Sequence, residues 1–193
     1  MNKPVNILIV GVGGQGTVLA SKILAQVALE IGSNVKVSEI HGMSQRGGSV
    51  VTQVRFGEQV YSPIIKEGGA DVILAFEKLE ALRWQTFLAP GGHMIVNAQE
   101  IDPMPVIMGA VSYPNEIIEQ LDANADKLTV VDALPLAADA GNIKAANVVL
   151  LGVLAKSLGI DREVWLKALE ATVPARFLDV NKKAFEKGFG QTA

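Results

Sequence analysis

The run Val5-Asn-Ile-Leu-Ile-Val10 passes straight into Gly11-Val-Gly13-Gly14-Gln15-Gly16, and this junction constrains the fold more than any other stretch of the chain. A short β-branched and aliphatic segment closed by glycine is the pattern of a strand buried on both faces of a parallel sheet. Beyond the glycines, Val18, Leu19, Ile23, Val27 and Ile31 recur at helical spacing and Gly32 follows as a stop, which predicts a core-facing helix over Gln15 to Ile31. Val35 to Ile40 reads as a second strand. The first 40 residues therefore spell strand, glycine turn, helix, strand, a βαβ unit.

The same rhythm continues. Ser49 to Phe56 alternates as a strand does, Asp71 to Phe76 is another buried-type strand, a helix is expected over Glu77 to Leu88, and Met94 to Asn97 returns as a strand after a turn at Pro90-Gly91-Gly92. Asp102-Pro-Met-Pro reads as extended. A helix follows over Asn115 to Asp122 with Asn115 placed to cap it, then a short strand over Leu128 to Val131. No strand pattern comes after Val131. Helices are expected over Lys144 to Leu158, over Asp161 to Thr172 with Asp161 as N-cap, and over Ala175 to Lys187 ending at Gly188. In the first of these, Val148, Val149, Leu150, Leu151, Val153 and Leu154 surround the axis, so it must be buried in the domain or against another chain. The expected fold class is α/β: a Rossmann-like, open, mostly parallel sheet with helices on both faces and a helical C-terminal third. With 193 residues, no repeats and no low-complexity linker, residues 1–193 are read as one domain.

Composition removes whole classes of function. There is no cysteine, so disulfides, cysteine-ligated iron–sulfur clusters and thiolate chemistry are excluded from this chain. Two histidines, His41 and His93, are too few for a histidine-rich metal site. A net charge of -3 with scattered Lys and Arg provides no field for nucleic acid. The longest apolar stretch, Ala145 to Ala155, falls short of the about 20 residues that span a bilayer. The N-terminal run reads as a strand rather than a signal peptide, and the expected location is the cytoplasm. The hydrophobic share of 49% and the mean hydropathy of +0.31 are high for a soluble domain. Such an excess is what a chain carries when part of its surface belongs to a partner or, in isolation, to a second copy of itself.

Two segments point to ligands. Gly11, Gly13 and Gly16 satisfy G-x-G-x-x-G between a strand and a helix, where Gly14, Gln15 and free N–H groups at the helix start would face an anion such as phosphate. Glu39 stands near the position of the acid that holds the ribose in NAD-binding folds, so the turn on its own admits a nicotinamide or flavin oxidoreductase, a non-catalytic nucleotide-binding module, or a packing role alone. The second segment is the polar loop His41-Gly-Met43-Ser44-Gln45-Arg46-Gly47-Gly48. Its residue types have no packing role. The guanidinium of Arg46 suits a phosphate or carboxylate, Ser44 and Gln45 offer neutral hydrogen bonds, and Gly47 and Gly48 let backbone approach a ligand. As a histidine, His41 is a candidate acid or base near neutral pH, but nothing in the sequence places it beside a reacting atom. Glu77, Glu80 and Arg83 start the helix after a central strand; Glu80 and Arg83 can pair at i, i+3, and all three read equally well as a solvated helix face.

Gly11-Val-Gly-Gly-Gln-Gly16 and, far more specifically, Ser38-Glu-Ile-His-Gly-Met-Ser-Gln-Arg-Gly-Gly-Ser-Val50 resemble the gamma-type subunits of 2-oxoacid:ferredoxin oxidoreductases, in particular the indolepyruvate branch. Ala70 to Arg83 and the helix containing Asn147 are similar to that family too, so the likeness spans the whole chain. The resemblance implies a complex that decarboxylates an arylpyruvate oxidatively, passes the acyl group to coenzyme A and reduces ferredoxin. It further implies that thiamine diphosphate, its magnesium ion and the iron–sulfur clusters sit in a large partner subunit, and that this chain binds none of them alone. Independently, no Gly-Asp-Gly segment followed by an Asn pair is present to hold the diphosphate metal.

Overall fold

The computed structural model describes residues 3–41 and 48–191, and for His41 the backbone alone. The elements run β1 (Val5–Val12), α1 (Thr17–Glu30), β2 (Asn34–His41), β3 (Ser49–Gly57), β4 (Ala70–Ala75), α2 (Lys78–Trp84), β5 (Leu88–Asn97), α3 (Met104–Ile107), α4 (Ile117–Asn124), β6 (Lys127–Val131), α5 (Ala133–Asp139), α6 (Ala146–Leu158), α7 (Arg162–Thr172) and α8 (Ala175–Phe189). Six strands form one sheet in the order β2-β3-β1-β4-β5-β6. β1, β4, β5 and β6 are mutually parallel, whereas β3 is antiparallel to both of its neighbours, β1 and β2.

This is the α/β fold expected, with one topological correction. The opening strand–helix–strand unit does not place its two strands side by side, because β3 inserts between them. Gly11 of β1 pairs with Val50 and Glu39 of β2 pairs with Thr52, both on β3. The physical reason is the short connection from β2 to β3. It cannot carry a crossover helix, so the chain folds back as an antiparallel neighbour, which needs only a turn.

Alternation along β1 supplies both sides of the sheet. Ile7 and Ile9 join Leu24, Val27, Leu151 and Trp165 in one core, and Leu8 and Val10 join Ile73, Met94 and Leu121 in the other. The first core is the thicker one. At its centre α6 is buried from Asn147 to Ala155, which answers the choice left by its all-round apolar pattern: the domain itself covers this helix. Two glycines make that crossing. A Cβ on Gly188 would lie 1.8 Å from the Val149 carbonyl oxygen, and one on Gly152 would lie 2.2 Å from that of Phe185. Gly188 is therefore inside α8, at its contact with α6, rather than the helix stop expected.

Several smaller expectations shift. Val18 and Ile31 of the α1 pattern are exposed, and the buried stripe runs through Ala20, Ile23, Leu24 and Val27. Pro90-Gly91-Gly92 lies within the span of β5, whose pairing with β4 shifts register between Ala70 and Val72. The residue before α4 is Glu116, at φ 58°, and it makes no side-chain cap in place of the cap expected from Asn115. Asp102-Pro-Met-Pro leads into the single turn α3, and α5 follows β6 where no element was expected. Asp161 caps α7 as its position predicts, accepting from the Glu163 N–H at 2.8 Å. No helix is long and apolar enough to cross a membrane among the described residues. Large apolar side chains stay in solvent along Met104, Ile107, Met108 and Val111 after β5, and also at Val18, Ile40 and Ile143.

Candidate functional site

The glycine turn leaves β1 at the carboxyl edge of the parallel strands, the edge at which ligands of open α/β sheets bind. Gly16 ends the turn with φ 83°, a left-handed conformation that a side chain resists, and a Cβ there would stand 2.6 Å from Nδ2 of Asn147. That Asn147 amide donates to the Gly16 carbonyl at 3.2 Å, which ties the start of α6 to the start of α1. Neither helix start has a side-chain cap. Gly16, Ala146 and Asn147, at these two helix starts, line one cleft, and the Val148 N–H donates to Oδ1 of Asn147 at 3.0 Å.

That cleft has a volume of about 430 Å³ and is lined by Gly14, Gln15, Gly16, Phe76, Asn97, Gln99, Leu134, Ile143, Lys144, Ala146, Asn147 and Leu150. Its floor is a hydrogen-bonded lattice. Gln15 accepts from the Val12 N–H at 2.7 Å through Oε1, and its Nε2 donates to the Phe76 carbonyl at 2.8 Å and to Oε1 of Gln99 at 3.0 Å. Asn97 donates to the same Phe76 carbonyl and accepts from the Ala133 N–H. Gln15, expected to meet a ligand, thus has both ends of its amide engaged in joining β1 to β4. Lys144 is the cation of the cleft. Sequence reasoning did not single out Lys144, Asn97 or Gln99. A polar Asn147 within an otherwise apolar helical run was the one available signal.

The two ligand segments meet. The Gly13 N–H donates to the Gly48 carbonyl at 2.9 Å, so the exit of the polar loop lies against the middle of the glycine turn. Of that loop, Met43, Ser44, Gln45, Arg46 and Gly47 lie outside the described residues, as does the side chain of His41, whose backbone ends β2 opposite Val50.

The acid expected near a dinucleotide ribose is committed elsewhere. Oγ of Ser21 on α1 donates to Oε1 of Glu39 at 2.8 Å. With β3 interposed, β2 stands two strand spacings from β1, about 10 Å. The acid therefore does not stand on the strand directly beside the glycine turn, as the dinucleotide fingerprint has it.

A second polar cluster lies beside the loop exit. Glu77 and Glu80 are 1% and 3% exposed, so the solvated helix face is not what forms. Glu77 precedes α2 and its carboxylate accepts from the Glu80 N–H at 2.9 Å, from the Ile101 N–H at 3.2 Å and from the Tyr113 hydroxyl at 2.5 Å. Burial pushes the Tyr113 hydroxyl up, and the Glu77 carboxylate beside it adds to that. Glu80 accepts from the Ser49 hydroxyl at 2.5 Å and pairs with Arg83 at 3.1 Å. Burial raises its carboxyl above the usual range, against the opposing effects of Ser49 and Arg83. His93, the other histidine, is a satisfied core residue, with Nδ1 2.6 Å from Ser157 Oγ and Nε2 2.8 Å from Thr129 Oγ1.

Comparison with known proteins gives a consistent set of relatives. The profile of the family described as pyruvate ferredoxin/flavodoxin oxidoreductase matches residues 6–191. Indolepyruvate oxidoreductase subunit IorB of Thermococcus kodakarensis is 45% identical, over 96% of this chain and 95% of that protein. The pyruvate/ketoisovalerate oxidoreductases common subunit gamma of the same organism is 28% identical, over 94% of each. Among solved structures, the keto/oxoacid ferredoxin oxidoreductase gamma subunit of Geobacter sulfurreducens superposes with a TM-score of 0.71 at 26% identity, covering 96% of both chains.

Proposed function

Because the chain belongs to the pyruvate ferredoxin/flavodoxin oxidoreductase family, we propose that it is the small subunit of an indolepyruvate-type 2-oxoacid:ferredoxin oxidoreductase and supplies that enzyme's anion-holding wall. The observation that supports the reading is the Gly13–Gly48 hydrogen bond, which brings the residue that follows the His41 to Gly47 segment against the glycine turn. Glycine N–H groups, the start of α1, Lys144 and the guanidinium of Arg46 are together suited to the phosphates of coenzyme A or to an oxoacid carboxylate.

The electron-transfer and carbanion chemistry is assigned to a large cytoplasmic partner subunit holding thiamine diphosphate, magnesium and iron–sulfur clusters. This chain's residues do not fit those groups: it has no cysteine, and among the described residues no three His, Asp or Glu side chains gather to hold a metal. What this chain's residues do is bind and orient. The apolar side chains exposed at Met104, Ile107, Met108 and Val111 support the partner-dependent reading, because such a stretch costs solvation unless covered.

Arg46→Ala in the assembled complex tests the reading. The expected result is unchanged assembly with KM for coenzyme A raised about tenfold or more, the loss of a charge-assisted contact. Unchanged kinetics would refute it. Co-purification of the tagged chain with a cysteine-rich thiamine enzyme checks the partner.

A further inference from the structure

Ser49 is the first residue of β3 and stands opposite Val12, the last residue of β1. It is gripped from two sides. On one side its hydroxyl donates to the Glu80 carboxylate, which the Arg83 guanidinium also holds. On the other, the carbonyl of the residue just before it, Gly48, accepts the Gly13 N–H of the glycine turn. A continuous path of bonds therefore runs from α2 through Glu80, Ser49 and Gly48 to Gly13.

The side chain at the head of this path sits where burial disfavours its charge. Glu80 is 3% exposed and the Glu77 carboxylate lies next to it on the same helix. A carboxylate in such a place costs stability, since an apolar or amide residue of similar size avoids the desolvation. Packing alone does not explain its presence. The hydroxyl it holds, however, belongs to the residue that fixes how β3 begins beside the ligand-facing turn.

We infer that Glu80 is a positioning residue for the anion site, holding the glycine turn in register through Ser49, Gly48 and Gly13. It touches no substrate. The inference rests on the reading of the glycine turn and Arg46 loop as an anion-holding wall, and it names a supporting residue behind that wall that neither motif contains.

The test uses the assembled complex and three measurements on each variant: KM for coenzyme A, kcat and the melting midpoint. Ser49→Ala removes the hydroxyl and leaves the carboxylate with Arg83. Its KM for coenzyme A is expected to rise about tenfold with kcat within a factor of about two, and Ser49→Thr, which restores a hydroxyl, to recover most of that loss. Glu80→Leu is expected to raise KM similarly without lowering the melting midpoint, because it removes a buried charge together with the grip. A merely structural role predicts the opposite, a lower midpoint with KM unmoved. Arg46→Ala measured alongside separates the two levels. If Arg46→Ala raises KM while Ser49→Ala and Glu80→Leu do not, the positioning role falls and the anion wall stands. If none of the three moves KM, both fall.

Discussion

Individual side chains in this protein are decided by where a strand ends beneath them. Glu77-Lys-Leu-Glu80-Ala-Leu-Arg83 has the charge spacing of an exposed helix face, yet both glutamates are interior because α2 begins directly off the buried strand β4. A carboxylate in that place survives only with partners, and Ser49, Tyr113, Arg83 and the Glu80 and Ile101 N–H groups provide them. The histidine that matters for stability is likewise visible only in three dimensions. Burial, with some repulsion from Lys127, lowers the pKa of His93 to about 4. The folded state therefore binds fewer protons than the unfolded one between about pH 4 and an unfolded value near 6.5. Its contribution is present in full above pH 6.5 and is lost as pH falls through that window, by on the order of 2 kcal/mol. Urea midpoints measured from pH 7 to pH 4 are expected to fall in the wild type and to flatten in His93→Gln. Parallel slopes in the two proteins would show that His93 is not the titrating group.

At the scale of elements, the register of helices and strands is set by a few positions that admit no side chain. The α6–α8 crossing brings backbone to backbone at Gly152 and Gly188. Gly188→Ala is expected to destabilise the chain by about 3 kcal/mol, at the upper end for overpacking, seen as a lower urea midpoint. A control at Gly190, whose added Cβ would meet its nearest atom at an ordinary 3.4 Å, is expected to shift little. Gly16→Ala acts at the site instead. It forces a left-handed residue against Asn147 and is expected to weaken coenzyme A binding in the complex as well as stability, whereas Gly188→Ala leaves KM alone once folded. Most of the helices and strands among the described residues were legible from period and punctuation. The failures have local causes. α5 was missed because Ala133–Asp139 is short and carries a proline. The placement of β3 was missed because periodicity shows that a strand exists and not which neighbour it joins.

For the whole molecule, the insertion of β3 separates this chain from free-standing dinucleotide enzymes that share its glycine turn. Isothermal titration of the isolated chain with NAD or FAD is expected to give no binding, since Glu39 is committed to Ser21 across from the turn. A micromolar Kd for either would restore the oxidoreductase alternative. Sequence by itself determined the alternating strand and helix order, the apolar character of α6 and the absence of cysteine chemistry, because each depends on local period or on residue type alone. Tertiary structure decided the rest: that β3 parts β1 from β2, that α6 is covered by the domain's own helices, that Glu77 and Glu80 lie inside, and that Gly48 bonds to Gly13. All four depend on which segments meet across long stretches of chain. The glycine turn at the end of β1 was legible as a turn between strand and helix from its spacing, but its bond to Gly48 exists only through the pairing of β1 with β3.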